Sequence, residues 1–285
     1  NFYINYKKEI NFFINNAIKE DLNAIDHSSK ASLSKKNKGK AVLIVKENCV
    51  IAGLELAEII YKKYDSEINF RYLVNDGDKI NAGTKGFIVE GNSLSILAME
   101  RLVLNCIQRM SGIASLTSRY KKIISKTSCK LLDTRKTTPN FRYPEKWAVL
   151  IGGGNNHRMG LYDALMIKDN HIDFGGGVNL VLEKTKRYLS GLGKEYDLIV
   201  ETRNLKEVKD VLNYNIVTRI LLDNMDINEI KKALSLIGNK KPTEASGNID
   251  KSNILAIAKT GVNFISLGCL THSAKPIDIS LKVSK

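Results

Sequence analysis

The sequence predicts an α/β protein built on a parallel sheet. The first observation is a series of seven short apolar runs from residue 131 onward: LLDTRK, AVLIGGG, ALMIKDN, DLIVET, RILLDN, TEASGN and FISLGC. Helix-like segments separate most of them, and strands that alternate with helices pair in parallel. The second is that the runs are apolar nearly throughout, as in strands covered on both faces. The third is that each run ends in a polar, charged or Gly-rich stretch, and β/α barrels carry their functional groups at the C-terminal ends of strands. Seven decorated ends favour a barrel. An open doubly wound sheet, the competing architecture, would draw on two or three ends at a switch point. The chain has no GxGxxG after a first strand and no Walker A lysine motif.

The N-terminal region is more mixed. Phe12, Phe13, Ala17 and Ile18 fit one helical face. Residues 41–46 read as a strand, Glu47-Asn48 as a turn and residues 52–64 as a helix. Asn75-Asp76-Gly77-Asp78 is a turn signal between strands. Residues 93–110 are helical by pattern, with Leu97, Leu102 and Ile107 apolar and Arg101 and Arg109 on other faces. Among the apolar runs, segments 178–189, 205–212, 227–237 and 254–259 read as helices. Gly175-Gly176-Gly177 reads as a linking loop. The expected domains are 1–110, joined by the C-terminal segment 274–285, and a catalytic domain over 111–273.

A chain of 285 residues suffices for one large domain or two unequal ones. Its best membrane-span candidate, SLSILAMERLVLNCI, is broken by Glu100 and Arg101. Lys7, Lys8 and Glu9 interrupt any signal-peptide core, and the four cysteines are widely spaced with no CxxC. The expectation is a cytoplasmic protein with reduced thiols and no zinc site. The net charge of +14 is compatible with nucleic-acid binding, yet the lysines are scattered, only SKKNKGK clusters, and no aromatic-interleaved basic motif is visible. A lysine-rich surface with a few cations reserved for an anionic substrate is the plainer reading.

Those cations concentrate in residues 131–170, which hold Arg135, Lys136, His157, Arg158 and Lys168 among apolar runs and a Gly triplet. Arginine grips a carboxylate through two parallel N–H bonds and lysine adds a point charge. Five such groups buried without a ligand would leave charge uncompensated, so a small polyanion is implied. Glu201 and Asp223 end two successive expected strands and suit Mg²⁺, sugar hydroxyls or acid–base work; a salt bridge to a lysine is the simpler alternative. Ser246-Gly247-Asn248 and Ser266-Leu267-Gly268 end the last two strands, where barrels often bind phosphate on backbone N–H groups. His272, in Thr271-His272-Ser273, can reach the same anion. Gly152-Gly153-Gly154 is either a ligand approach or a loop. Cys269 has no identifiable activating base, so no nucleophile stands out. Spacing alone thus points to a phosphorylated sugar, a divalent metal and a small polyanionic acceptor.

At these residues the chain resembles the quinolinate phosphoribosyltransferase family. The resemblance rests on MERLVLNCIQRMSGIAS (99–115), DTRKTTPNFRYPEKWAVLIGGGNNHRMGLYDALMIKDNHI (133–172), EASGNI (244–249) and ISLGCLTHSAKPIDISLKV (265–283), with NDGDKINAG (75–83) in the N-terminal region. It implies an N-terminal α/β sandwich and an incomplete seven-stranded β/α barrel, assembled as a homodimer with shared active sites or a larger assembly of dimers. It implies that Arg135, Lys136, His157, Arg158 and Lys168 hold quinolinate, with Arg101 reaching in from the partner subunit, and that Thr134 also binds substrate. By the same resemblance Glu201 and Asp223 serve ribose hydroxyls and Mg²⁺, Ser246, Gly247, Asn248, Ser266, Leu267 and Gly268 hold the 5′-phosphate, and His272 lies near the phosphates. Lys136, Lys168, Glu201 and Asp223 are the implied catalytic groups. The implied reaction joins quinolinate to phosphoribosyl pyrophosphate, giving nicotinate mononucleotide, pyrophosphate and CO₂. Asn140 and Asn248 stand where the family usually has Gly, and asparagine tolerates left-handed backbone. The alternatives are a paralogue associated with molybdenum transport, expected to lack LMIKDNH, a nicotinate phosphoribosyltransferase, expected to need fewer cations, and a basic nucleic-acid-binding module.

Overall fold

The computed structural model describes residues 1–284. In chain order its elements are α1 (Phe2–Asn5), α2 (Lys7–Leu22), α3 (His27–Ser32), β1 (Lys38–Val45), β2 (Cys49–Val50), α4 (Leu54–Tyr64), β3 (Asn69–Tyr72), β4 (Lys79–Ile80), β5 (Lys85–Asn92) and α5 (Ser93–Ile123). There follow β6 (Lys130–Leu132), α6 (Arg142–Ile151), β7 (Leu165–Ile167), α7 (Asp169–Gly175), α8 (Val178–Ser190), β8 (Leu198–Thr202), α9 (Leu205–Leu212), β9 (Arg219–Asp223) and α10 (Ile227–Ile237). The last are β10 (Thr243–Ser246), α11 (Ile254–Ala258), β11 (Phe264–Ser266), α12 (Cys269–His272) and β12 (Ile279–Val283).

These elements pack as two compact units that interleave along the chain. One comprises Asn1–Ser118, Lys136–Gly153 and the residues from Cys269 on; the other comprises Arg119–Arg135 and Gly154–Gly268. The first holds an antiparallel sheet ordered β12-β1-β5-β3. The Asn75–Asp78 turn does more than reverse the chain: the Asp76 carboxylate accepts from the Leu54 and Glu55 amides at 2.9 and 3.2 Å, so it caps α4 from a distance. Within α2 the buried residues are Ile10 and Ile14, while Phe12 lies exposed, so the inward face is rotated from the one expected. Phe13 still contributes, packing edge-on against Phe141.

The second unit holds six parallel strands in the order β6-β11-β10-β9-β8-β7. That is the order of a barrel opened between its first two strands. Six strands are formed rather than the seven expected, because AVLIGGG is not a strand. Residues 148–151 are the last turn of α6, which is buried from Pro144 to Val149. An apolar run of four residues reads alike as a strand or as a buried helix end. In place of the missing strand, Asn155 makes an isolated parallel bridge to Leu132. The helices between strands follow from their amphipathic patterns and caps. Asn204 accepts from the Glu207 amide to start α9, and Asp226 and Glu229 form a capping box on α10.

Strand registry sorts the sheet into two faces. Leu131, Leu198, Val200, Ile220, Leu222, Ala245 and Ile265 alternate onto one face and are at most 3% exposed, the burial expected under helices. The opposite face carries Ile199, Glu201, Arg219, Leu221, Asp223, Glu244, Ser246, Phe264 and Ser266. Ile199 and Leu221 join Ala164 and Met166 in an apolar cluster on that face.

Candidate active site

Alternation therefore does the first work of site building. Glu201, Asp223, Ser246 and Ser266 end neighbouring strands and share one face, with apolar residues a row beneath them. Lys168 follows β7 directly and its Nζ lies 3.2 Å from Glu201 Oε2. The Glu201 side chain is 8% exposed, whereas that of Lys168 is 46% exposed, so the ammonium is open to a ligand while its partner is not. The Asp169 amide also faces Glu201 Oε1, at 3.4 Å. His171 Nδ1 accepts from the Lys168 amide at 3.0 Å, which fixes the backbone from which Lys168 projects.

A second group of cations comes from the turn after Asn155. Asp133, wholly buried at the end of β6, accepts from the His157 amide at 2.8 Å and from Asn156 Nδ2 at 2.6 Å. Arg158 Nη1 donates to the Ala164 carbonyl at 3.0 Å. Burial, and then the neighbouring Arg135 guanidinium, pull Arg158 down from its ordinary range, with Asp163 opposing them. Two guanidinium groups close enough to repel one another invite an anion between them.

His157 is held within the same turn. Its Nδ1 accepts the Arg158 amide at 2.7 Å, and its Nε2 lies 3.4 Å from Glu244 Oε2. Nδ1 is committed to the turn, so the ring braces its backbone, while the buried Nε2 stands at ion-pair distance from Glu244 without the geometry of a hydrogen bond. Glu244 was invisible to sequence reasoning, since TEASGN drew attention to its Ser-Gly end. It is fully buried and also accepts from Arg219 Nη1 at 2.9 Å. Burial opposes its charged form, but the surrounding His157, Ser266 and Arg219 outweigh that and hold the carboxyl below its ordinary range.

The strand-end loops have the expected backbone. Gly247 has φ +89°, and a Cβ there would meet Asn224 Oδ1 at 2.3 Å, so glycine is required. Asn248 and Asn140 both adopt positive φ, at +49° and +61°, as asparagine permits. Asn224 is a further residue the sequence did not flag. It donates to Asp223 Oδ2 at 2.7 Å, accepts from Asn248 Nδ2 at 2.9 Å, and its amide reaches the Ser246 carbonyl at 2.9 Å. One side chain thus couples the ends of β9 and β10. Leu267 departs from its expected role, because its amide donates to the Leu132 carbonyl at 3.0 Å and belongs to the sheet ladder.

Arg101, Lys136 and His272 belong to the other compact unit. Arg101 is exposed on α5. Thr271, wholly buried, donates to the Lys136 carbonyl at 2.8 Å, and the exposed His272 is hydrogen-bonded through Nδ1 to Ser273 at 2.7 Å. Arg109 forks onto Glu145 Oε1 through Nε and Nη2, both at 3.0 Å, and Glu145 also accepts from the Thr138 amide and hydroxyl. Arg109 further donates to the carbonyls of Thr271 and Ala274, so one buried pair braces the segments that carry Lys136 and His272. Gly152 is a packing glycine: a Cβ would lie 2.5 Å from the Ala114 carbonyl of α5.

Among the described residues no group of three or more His, Cys, Asp or Glu is arranged to hold a metal ion. Mg²⁺ does not need such a cage; it is commonly held by one or two carboxylates together with substrate phosphates. Glu201 and Asp223 offer that hard oxygen set, free of sulfur and imidazole, on one face of adjacent strands. Among the described residues no helix is long and apolar enough to cross a membrane.

The chain is similar to known proteins over most of its length. Residues 113–282 match the model for the quinolinate phosphoribosyl transferase C-terminal domain, and residues 26–111 match the N-terminal domain. The chain is 44% identical over 282 residues to quinolinate phosphoribosyltransferase [decarboxylating] 2b, mitochondrial, of Nicotiana tabacum, covering 94% of this chain and 80% of that protein. It is 38% identical over 269 residues to a probable nicotinate-nucleotide pyrophosphorylase [carboxylating] of a Synechocystis species, covering 93% and 89%. Among solved structures, the nicotinate-nucleotide pyrophosphorylase of Francisella tularensis superposes with TM-score 0.87 at 38% identity, covering 97% of this chain and 96% of that one. Human nicotinic acid phosphoribosyltransferase, at 14% identity and TM-score 0.59, over 90% of this chain and 72% of that one, shares the fold alone.

Proposed function

Because the chain belongs to the quinolinate phosphoribosyltransferase family of pentosyltransferases, we propose that it transfers the phosphoribosyl group of phosphoribosyl pyrophosphate to quinolinate with loss of CO₂, yielding nicotinate mononucleotide and pyrophosphate. The observation that carries the reading is the exposed Lys168 ammonium 3.2 Å from the buried Glu201, in the same unit as the half-buried Arg158, which the Arg135 guanidinium repels. A dianionic pyridine relieves that repulsion, and a monocarboxylate relieves less of it. The family resemblance adds Thr134 and Lys136 to this set and Arg101 from the partner subunit of a homodimer.

The chemistry asks little covalent work of the protein. The pyridine nitrogen attacks the ribose C1 as its bond to the pyrophosphate oxygen breaks, and positive charge develops at C1. Glu201, at the mouth of the sheet, stabilises that charge electrostatically. Asp223 is steadied by Asn224 and serves the ribose hydroxyls. The loop over Ser246, Gly247 and Asn248, together with Ser266 and Gly268, holds the 5′-phosphate, and the family resemblance adds His272 for the phosphates. Glu201 and Asp223 are the residues that would hold Mg²⁺, which when bound offsets charge on the leaving pyrophosphate. Once the ring nitrogen is quaternary, the electron pair left at C2 by departing CO₂ is stabilised by the pyridinium and takes up a proton. Cations that fix both carboxylates hold the nitrogen in line, so positioning supplies much of the rate.

Purified protein supplied with Mg²⁺ and phosphoribosyl pyrophosphate should release pyrophosphate and CO₂ with quinolinate and form no product with nicotinate. Turnover on nicotinate alone would reassign the substrate. In a second experiment Arg101→Ala and Lys168→Ala, each inactive alone, should regain activity when mixed into verified hybrid dimers. Inactive hybrids would remove the shared-site reading.

A further inference from the structure

We infer that Glu244 is a positioning residue for the substrate-binding turn at Arg158, acting through the imidazole of His157. The inference rests on the proposed reading of the site as a quinolinate pocket. Glu244 is fully buried in β10, on the same face as Ser246 and one pleat below it. Its Oε2 meets two groups from different places. Arg219, at the start of β9, donates Nη1 at 2.9 Å while its guanidinium lies 4.3 Å from the Phe264 ring centroid. His157 Nε2 is 3.4 Å from the same oxygen. Arg219 supplies the charge balance that a buried carboxylate requires. The contact to His157 is therefore not needed to keep the charge inside, and it points toward the cationic turn.

The imidazole makes the second link. Its Nδ1 accepts the Arg158 amide at 2.7 Å, so the ring must carry its proton on Nε2. A carboxylate 3.4 Å from Nε2 favours that tautomer electrostatically. With the proton on Nδ1 instead, two N–H groups would confront each other and the Arg158 peptide would turn away. Asp133 holds the preceding peptide through the His157 amide at 2.8 Å. The backbone of the turn is thereby pinned on both sides of His157, and Arg158 leaves it in a fixed direction toward Arg135. Glu244 touches no substrate in this scheme. It decides which nitrogen of His157 carries the proton, and so where a guanidinium stands.

The test uses the full-length protein and the double variant Glu244→Leu/Arg219→Met, which removes both charges together and leaves an apolar replacement of similar volume that a core tolerates. Thermal unfolding confirms that it is folded. The expected result is a KM for quinolinate raised on the order of tenfold, a KM for phosphoribosyl pyrophosphate within about twofold of wild type, and kcat changed less than the quinolinate KM. The ¹⁵N signals of His157, assigned by loss in His157→Gln, should show Nε2–H in the wild type and a shift toward Nδ1–H in the double variant. Unchanged quinolinate KM, equal rises for both substrates, or an unchanged tautomer each overturn the inference while the wild type still turns over quinolinate. A wild type that does not use quinolinate overturns the proposed function first and takes this inference with it.

Discussion

Glu145 and Glu201 are both nearly sealed from water and each meets a basic side chain, yet they are held in opposite ways. Glu145 is 0% exposed, Arg109 forks onto it, and its oxygens accept two further hydrogen bonds from Thr138. Every acceptor is committed to the protein. Glu201 faces Lys168, whose side chain is 46% exposed, and an amide at 3.4 Å. One pair spends its charge on holding segments together; the other leaves half of its charge on offer. Burial of a carboxylate alone therefore does not mark a catalytic group. The exposure of its partner is what separates the pair proposed for catalysis from the pair that braces.

The contrast predicts where each substitution will be felt. Arg109→Ala strands a buried carboxylate, so unfolding free energy from urea denaturation should fall by about 3–5 kcal/mol. A loss under about 1 kcal/mol would mean that the Glu145 cluster is not the brace described. Lys168→Ala should cost on the order of 10²–10³ in kcat/KM while stability changes by less than about 1 kcal/mol, as for an exposed ion pair. Comparable losses in melting temperature for the two variants would erase the distinction.

The same division extends to two glycines. Alanine at either meets backbone or a fixed amide inside contact distance, at 2.5 Å for Gly152 and 2.3 Å for Gly247. Each should lose about 1–3 kcal/mol of stability from overpacking. Only Gly247→Ala should also raise the KM for phosphoribosyl pyrophosphate, and an equal rise with Gly152→Ala would count against the phosphate role of the β10 loop. The smallest expected effect concerns pH. Glu244 is held below its ordinary value of 4.5. A carboxyl lowered by folding stabilises the native state above its unfolded pKa, and that contribution disappears as pH falls through the folded value. Stability should thus decline below about pH 4.5, and Glu244→Gln should flatten that acid limb in melting curves; an identical limb would show that other groups set it.

Six of the seven apolar runs are strands, and the helices at Leu205–Leu212 and Ile227–Ile237 begin and end where their apolar spacing and caps place them. Such elements are legible because local period and burial agree. AVLIGGG failed because the run ends a helix whose polar residues do not mark an outer face: Glu145 and Lys146 are buried while Leu150 is 39% exposed. The exposed Lys168 and the strand-end carboxylates announced themselves by position. Glu244 and Arg219 did not, since a charged residue inside a strand looks the same on paper whether it faces solvent or a buried partner. His157 was legible as a basic residue near the site, but its orientation depends on Glu244, 3.4 Å away in space and 87 residues away in sequence.

The pairing of β12 with β1 has a consequence for synthesis. Ile279 sits opposite Val45 and Val283 opposite Ala41, so the first sheet of the chain receives its border strand from residues made more than two hundred positions later. On the ribosome, β1 must wait with one row of amides and carbonyls unsatisfied while the whole parallel sheet emerges. During that interval it is open to capture by another nascent chain, and chaperone demand should concentrate there rather than at the catalytic end.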